Sequence, residues 1–308
     1  MSQACAVVFA YHDVGVRCLK VLLSGGVTVP LVVTVRDDPL EQRWFASVAD
    51  TATDYGLEVI APTEPNTPEL TRRISELQPD FLFSFYYRAL LAPELLRVPR
   101  LGALNMHGSL LPRYRGRAPV NWAILRGERE TGATLHYMVE RADAGDIIDS
   151  QAVPILIDDD AREVFSKVTV AAESVLARSL PALIAGTAPR RAQPILPGEY
   201  FGRRRPEDGR IDWSRPALEI HNLVRAVAPP FPGAFGRIAG ERWEIHRTRL
   251  APLVGVPRGA TLFSVAGSCY LACGDGAALR LLGAADARGP IDLRQLASRV
   301  ARQPLPLG

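Results

Sequence analysis

The chain has 308 residues, 47% hydrophobic and 22% charged, the composition of an ordinary globular protein with room for two domains. No apolar run approaches the ~20 residues that a membrane-spanning helix needs, and the first residues lack a basic stretch followed by a cleavage site, so neither membrane insertion nor export is expected and the cytoplasm is the expected compartment. The net charge of +3 is mild, with 23 basic and 24 acidic side chains in 1–205 and 13 and 9 in the remainder, so no nucleic-acid partner is expected.

In chain order, hydrophobic periodicity predicts a strand at Ala6–Ala10, a helix at Val14–Leu23 and a strand at Val29–Val35. A helix at Glu41–Tyr55, a strand at Leu57–Ile60, a helix at Pro68–Leu77 and a strand at Phe81–Phe85 follow. Leu90–Leu96 reads as helix, Ala103–His107 as strand and Val120–Arg126 as helix. Thr134–Met138 and Asp146–Ile157 read as strands, and Ala161–Ala185 is the longest helical pattern. This alternation predicts a parallel sheet with helices on both faces.

Pro189–Pro206, rich in Pro, Gly and Arg, reads as a linker. After it come a helix at Pro216–Val227 and short strands at Phe235–Ile238, Trp243–Arg249, Ala260–Val265, Cys269–Cys273 and Ala278–Leu282, the pattern of a small barrel. Pro304–Gly308 reads as a loose end. The expected division is therefore a catalytic domain at 1–189, a linker at 190–205 and a second domain at 206–308. The first strand-to-helix turn holds only Gly15, so no dinucleotide fingerprint is present, and there is no phosphate-binding P-loop. The four cysteines have no metal-ligand spacing and read as buried free thiols, so no metal is expected.

The chemistry concentrates between Leu104 and Ile148. The stretch opens L-N-M-H-G-S-L-L-P-R-Y-R-G-R-A-P and later reads H-Y-M-V-E-R-A-D-A-G-D. It holds an amide, Asn105, an imidazole, His107, and a carboxylate, Asp143. On a strand, residues two apart share a face, so Asn105 and His107 point the same way. Gly108 and Pro112 then turn the chain, which puts both at the strand's C-terminal end, where open α/β sheets bind ligands. Acyl transfer to an amine needs a proton carrier, a donor to the developing oxyanion and a group that orients the carrier. Imidazole, amide and carboxylate fill those roles. Each of the three alone also has a plain reading as a turn cap or a satisfied core group.

This stretch resembles the family of formyltransferases that use 10-formyltetrahydrofolate, whose signature is Asn-x-His with an Asp about 36 positions after the His. Asn105, His107 and Asp143 match it. Further words are similar to the branch that forms the formyltransferase half of bifunctional polymyxin-resistance proteins: V-F-A-Y-H-D at Val8–Asp13, F-S-F-Y-Y-R at Phe83–Arg88, F-G-R-R at Phe201–Arg204, H-N-L-V-R-A-V-A at His221–Ala228 and P-G-A-F at Pro232–Phe235. The resemblance implies a Rossmann-like, mostly parallel sheet with helices on both faces, followed by a small C-terminal OB-like β-barrel. It implies formyl transfer from 10-formyltetrahydrofolate to the 4-amino group of a UDP-aminosugar, UDP-4-amino-4-deoxy-L-arabinose. His107 would then carry the proton, Asn105 hold the oxyanion and Asp143 tune His107.

By the same resemblance Ala89, Leu90 and Leu91 match one side of the folate site, Val139, Glu140, Arg141 and Ala142 the other, and Arg117 a residue that touches the folate. Tyr86 and Tyr87 suit the wall of a pterin slot or plain core. Arg113, Arg115 and Arg117 alternate around Tyr114 as a loop showing three guanidiniums, suited to phosphates, a folate tail or solvent. His12 reads as a sugar-nucleotide contact or a turn cap. Arg203 and Arg204 read as a surface cluster or as groups closing on the nucleotide. Methionyl-tRNA formyltransferase shares the catalytic words, but the basic loop it needs after the second strand reads V-R-D-D-P-L-E-Q-R-W here. A catalytically idle folate- or nucleotide-binding protein would not need the intact triad.

Overall fold

A computed structural model describes residues 3–36, 43–194 and 200–308. Within them β1 (Cys5–Ala10), α1 (His12–Ser24), β2 (Thr28–Val33), α2 (Val48–Asp54), β3 (Val59–Ile60), α3 (Pro68–Glu76), β4 (Phe81–Phe85), α4 (Pro93–Leu96) and β5 (Gly102–His107) alternate as the periodicity predicts. The expected helix from Glu41 starts only at Val48, where Ser47 accepts the Asp50 N–H as an N-cap; Glu41 and Gln42 lie outside the described residues. Then come β6 (Arg115–Gly116), α5 (Pro119–Leu125), β7 (Glu130–Tyr137), β8 (Ile147–Pro154), α6 (Ala161–Ile184) and β9 (Tyr200–Phe201).

The first sheet has the order β3-β2-β1-β4-β5-β7-β8, with β1, β2, β3, β4 and β5 parallel and β7 antiparallel to β5. Its central strands, C-A-V-V-F-A and F-L-F-S-F, are continuous apolar runs because both faces are covered by helices. Val7, Phe9, Leu31, Val33 and Leu82 form the core against Leu70 and Ile74 of α3. β1 and β4 are neighbours with the sheet growing outward from each, so the crevice at their C-terminal ends is the topological switch point where ligands bind in this architecture. Asn105 and His107 lie at the same end, on the next strand.

The second sheet is antiparallel, in the order β10 (Ala234–Ile238), β11 (Glu241–Ala251), β14 (Ala278–Asp286), β13 (Ser268–Ala272), β12 (Thr261–Val265) and β16 (Leu305–Pro306), with β15 (Gly289–Pro290) beside β14. Two helices, α7 (Ala217–Ala226) and α8 (Leu293–Val300), pack on it. The C-terminal residues are not a loose end. Leu305 and Pro306 pair with β12, Leu307 bridges to Ile238 of β10, and Arg237 and Gly308 exchange backbone hydrogen bonds at 2.8 and 2.9 Å. The tail thereby joins the first strand to the last, and the sheet closes on itself as a small barrel.

By contacts the chain forms two compact units, and they are not divided at one point. One holds residues 1–119, 130–153 and 165–202; the other holds 120–129, 154–164 and 203–308. Two segments that precede residue 165 thus belong to the second unit. Asn121 donates to the Ala226 carbonyl at 2.7 Å. Arg225, buried on α7, donates to the carbonyls of Leu156 and Asp159 at 3.3 and 3.1 Å, and His221 meets the Ile157 carbonyl at 2.9 Å. Burial draws the Arg225 pKa down, and Asp159 and Asp158 oppose that. Removing the guanidinium leaves buried carbonyls without donors, so Arg225→Ala should cost about 3 kcal/mol of stability. A denaturant titration checks this: an unchanged midpoint would mean that water replaces the guanidinium.

Candidate functional site

β5 places Asn105 and His107 on one face, and β7 supplies a third polar group that the spacing alone did not reveal. Asn105 is registered opposite His136, and His107 opposite Thr134. Asn105 Nδ2 lies 3.1 Å from His136 Nε2 and 3.4 Å from Asp143 Oδ1. His107 Nδ1 and His136 Nε2 both face that oxygen, at 3.5 and 3.6 Å. Asp143 is thus the shared anion between an amide and two buried imidazoles. His136 stands one register position across from Asn105, and only the strand pairing discloses it.

The proton positions follow from the partners. His107 Nε2 lies 2.9 Å from the Tyr114 carbonyl, and a carbonyl only accepts, so Nε2 carries a proton. Nδ1, facing Asp143, is left to take up and return one. His136 Nδ1 donates to the Tyr137 carbonyl at 2.8 Å, so its Nε2 accepts from Asn105. The second Asn105 hydrogen makes only the 3.4 Å contact to Asp143. A contact that long is weak, so this hydrogen is available to a developing oxyanion.

The loop after β5 is shaped by side chains. Ser109 Oγ donates to the Arg113 carbonyl at 2.6 Å, and Thr134 Oγ1 donates to Ser109 and accepts from the Leu111 N–H. The chain then reverses, and the Gly116 N–H donates to Asp143 Oδ2 at 2.9 Å. Gly116 has φ 104°, and a side chain there would meet the Phe201 carbonyl at 2.2 Å, so glycine is required. Five of the eight described non-glycine residues with positive φ lie at this end of the first unit, His12 opening α1 and Tyr86, Tyr114, Ala118 and Asp143 in loops. Backbone of this kind typically costs ~1–3 kcal/mol per residue and collects at functional sites.

Burial alone would raise the Asp143 pKa. The charges that His107 and His136 carry when protonated, the hydrogen bond that His136 then gives, and the Gly116 N–H outweigh it and hold the carboxyl well below the usual carboxylate range. A depressed folded-state value contributes stability above the unfolded value of about 3.9, lost as pH falls through the folded value. Asp143→Asn should therefore melt below the wild type at pH 7, with the gap narrowing below about pH 4. A constant gap across thermal melts from pH 7 to pH 3 would rule out this charge balance.

The other sequence-predicted residues fall as follows. Ala89, Leu90 and Leu91 follow β4, and Val139, Glu140, Arg141 and Ala142 form the loop before Asp143. Leu90 and Val139 are large apolar side chains left 66% and 46% exposed. Arg117 is exposed and donates to the Arg88 carbonyl at 3.4 Å. Arg113 is exposed, with its guanidinium 5.9 Å from the Tyr114 ring centre. The expectation of three displayed guanidiniums is corrected at Arg115, which is 1% exposed. Its backbone pairs with Tyr200–Phe201 as β6, and that pairing turns its side chain into the unit. Tyr114 is buried against Phe201, with ring centres 4.9 Å apart.

His12 is buried, stacked on Phe45 at 3.9 Å and set against Trp44 and Phe165. Burial, then the charge of Arg88, lowers its pKa to about 3, so the ring is neutral. Its Nδ1 accepts the Asp13 N–H at 2.9 Å, which matches the turn-capping alternative. Tyr87 packs edge-on against Phe9, and the Tyr86 hydroxyl is buried. Arg203 and Arg204 belong to the second unit, where Arg204 lies over the Trp122 ring at 5.0 Å and donates to the Asp208 carbonyl. Much of V-R-D-D-P-L-E-Q-R-W lies outside the described residues. All four cysteines are free thiols, and among the described residues no cluster of His, Cys, Asp and Glu could hold a metal ion. No helix among them is long and apolar enough to cross a membrane.

The stretch expected to be a linker makes contacts of its own. Arg190 stacks on the Tyr137 ring at 3.8 Å, Arg191 exchanges backbone hydrogen bonds with Ile147, and Gln193 donates to the carbonyls of Asp143 and Gly145. Residues 195–199 lie outside the described residues. Composition pointed to a linker, but the backbone on either side of that gap is fastened to the loops around Asp143.

Comparison with known proteins bears on the fold. The fold is similar to a Helicobacter canadensis N-formyltransferase solved with folinic acid and dTDP-3-aminofucose, at 22% identity and a TM-score of 0.72, over 91% of this chain and 99% of that one. It is similar to WlaRD, a sugar 3N-formyltransferase solved with dTDP and 5-N-formyl-THF, at 20% identity and a TM-score of 0.72, over 95% and 99%. It is also similar to HypX from Aquifex aeolicus with tetrahydrofolic acid, at 18% identity and a TM-score of 0.64, over 98% of this chain and 48% of that one. Residues 12–180 match the formyl transferase family and residues 204–299 its C-terminal domain, so the chain belongs to the formyl transferase family.

Proposed function

We propose that the chain transfers the formyl group of 10-formyltetrahydrofolate to the 4-amino group of a UDP-aminosugar, UDP-4-amino-4-deoxy-L-arabinose, in the lipid A modification that confers polymyxin resistance. The observation that carries the reading is the cluster of Asn105, His107, His136 and Asp143 at the C-terminal end of β5. His107 Nδ1 takes the proton released by the attacking amine and returns it to the leaving nitrogen. Asp143, held ionised, orients the ring and offsets its positive charge. Asn105 donates its weakly bound hydrogen to the oxygen on which charge develops, and His136 holds the amide plane. The folate supplies the formyl carbon. Exposed Leu90 and Val139 give its ring system apolar surface, and Arg117 suits an anionic tail. The acceptor choice rests on the sequence words shared with the aminoarabinose branch.

The deciding experiment offers the protein 10-formyltetrahydrofolate with UDP-4-amino-4-deoxy-L-arabinose, a dTDP-aminosugar or charged initiator tRNA, and identifies the formylated product by mass spectrometry. The expected product is the formylated UDP-sugar, and UMP or UDP should raise the melting temperature. A tRNA acceptor would need many phosphate contacts, and its binding would fall steeply with salt. Formylated tRNA with no uridine-nucleotide effect would overturn the reading. A formylated dTDP-sugar alone would change the nucleotide and keep the chemistry.

A further inference from the structure

Asp143 works only if its carboxylate is aimed, and the backbone bond that closes its own turn, from the Ala144 N–H to the Arg141 carbonyl, is long at 3.3 Å. The Asp143 backbone is left-handed, at φ 53°, a region uncommon for residues with a side chain, though one that Asp enters more readily than most. Two residues later Gly145 packs so closely on Tyr137 that a side chain there would meet the Tyr137 carbonyl at 1.9 Å, so position 145 can supply no side-chain brace. The carboxylate end is tied by the Gly116 N–H. The backbone end is tied by one side chain from 50 residues further along the chain: Gln193 Nε2 donates to the Asp143 carbonyl at 3.2 Å and to the Gly145 carbonyl at 2.5 Å. Both partners are acceptors, so only the amide nitrogen can face them.

That contact has a cost. With Nε2 turned to the carbonyls, the Gln193 Oε1 is buried without a hydrogen-bond partner among the described residues. Gln193 is in turn fixed by its neighbours. Arg191 is bridged to Ile147 through bonds of 2.8 and 2.9 Å, and the Arg190 guanidinium lies on the Tyr137 ring. The Gly116 tie is itself backed by Phe201, with which Gly116 pairs in the short β6–β9 ladder.

We propose that Gln193 is a positioning residue of the active site: its side-chain amide fixes the left-handed turn that aims the Asp143 carboxylate at His107. The proposal rests on the role given to Asp143 above. A displacement of about 1 Å at a catalytic group can cost ~10²-fold in rate, so a brace two bonds from the Asp143 Cα has leverage on turnover without touching substrate. A glutamine whose only task was to secure the chain would affect stability and leave the coupling to Asp143 at zero.

The test is a double-mutant cycle in single-turnover formylation, using 10-formyltetrahydrofolate and the aminosugar nucleotide that the wild type formylates. Gln193→Met keeps the length and loses both donors. It should lower the rate about 10- to 100-fold, with substrate affinities changed less than about threefold. On an Asp143→Asn background the same change should have no further effect, because the group it serves is already disabled. Hydrogen exchange of the 138–147 amides, read on the full chain without substrate, should quicken in Gln193→Met and in Gln193→Glu while β1 and β4 stay protected. A rate within twofold of wild type, an equal loss on both backgrounds, or unchanged exchange in 138–147 would each overturn the proposal. Full activity in Asp143→Asn alone would instead remove the assignment of Asp143, and the role of Gln193 with it.

Discussion

Replacing His107 with Ala should lower turnover by about 10²- to 10⁴-fold and leave the fold intact, the range that general acid–base catalysis contributes. His107 is the ring whose Nδ1 is not committed to a backbone group. Its Nε2 proton is held by the Tyr114 carbonyl, and Nδ1 stands beside a carboxylate that stays ionised. His136 is near enough to Asp143 to raise the question of substitution. Both of its nitrogens are spoken for, one by the Tyr137 carbonyl and the other by Asn105, and it is buried. It should not rescue the variant. The measurement is kcat with a circular dichroism melt on the same sample. A folded His107→Ala enzyme that keeps more than about a tenth of the wild-type rate would assign the proton to another group.

The second large effect is expected at Asn105. Asn105→Asp keeps the shape, replaces an N–H₂ by an oxygen and sets a second carboxyl about where Nδ2 lies, 3.4 Å from Asp143 Oδ1. Two carboxylates that close do not both ionise, so one takes up a proton and the charge balance around His107 is altered. The oxyanion also loses its donor, a change typically worth 10²–10³-fold in kcat. The expected result is a kcat loss of about 10²-fold or more with folate affinity little changed, because Leu90, Val139 and Arg117 are untouched. Equal activity in Asn105→Asp would place the oxyanion donor in the backbone. A loss confined to KM would make Asn105 a binding group.

These expectations reach back to different levels of information. The shared face of Asn105 and His107 was legible because strand side chains alternate, and the strand was legible because F-L-F-S-F and A-L-N-M-H are short β-prone runs between turn signals. Asp143 was legible as a carboxylate in the same stretch, but only the family resemblance tied it to His107. Nothing in V-E-R-A-D-A-G-D shows that its fifth residue turns back to a strand that ended 36 positions earlier. His136 stayed hidden because register is a relation between strands: one step of slip would send its ring to the opposite face of the sheet. Arg115 misled for a similar reason. Alternating Arg and small residues look like a displayed cluster until a two-residue ladder with Tyr200 and Phe201 turns one of them inward.

The sequence by itself determined the class of fold, the order of its elements, the shared face of Asn105 and His107 and the absence of a dinucleotide or P-loop fingerprint, since each is written in residues that are neighbours along the chain. Tertiary structure alone decided three things. It gathered His136 and Gln193 around Asp143, drew 120–129 and 154–164 into the second unit through Asn121, His221 and Arg225, and used the last residues to close the barrel. Composition reads Pro189–Pro206 and Pro304–Gly308 as loose, because Pro and Gly lack the periodic apolar face that marks a regular element. Backbone N–H and C=O groups pair whatever side chains they carry, so the described parts of these segments, 190–193, 200–201 and 305–308, are fixed by the open acceptors and strand edges they meet, and those exist only once the sheets have formed.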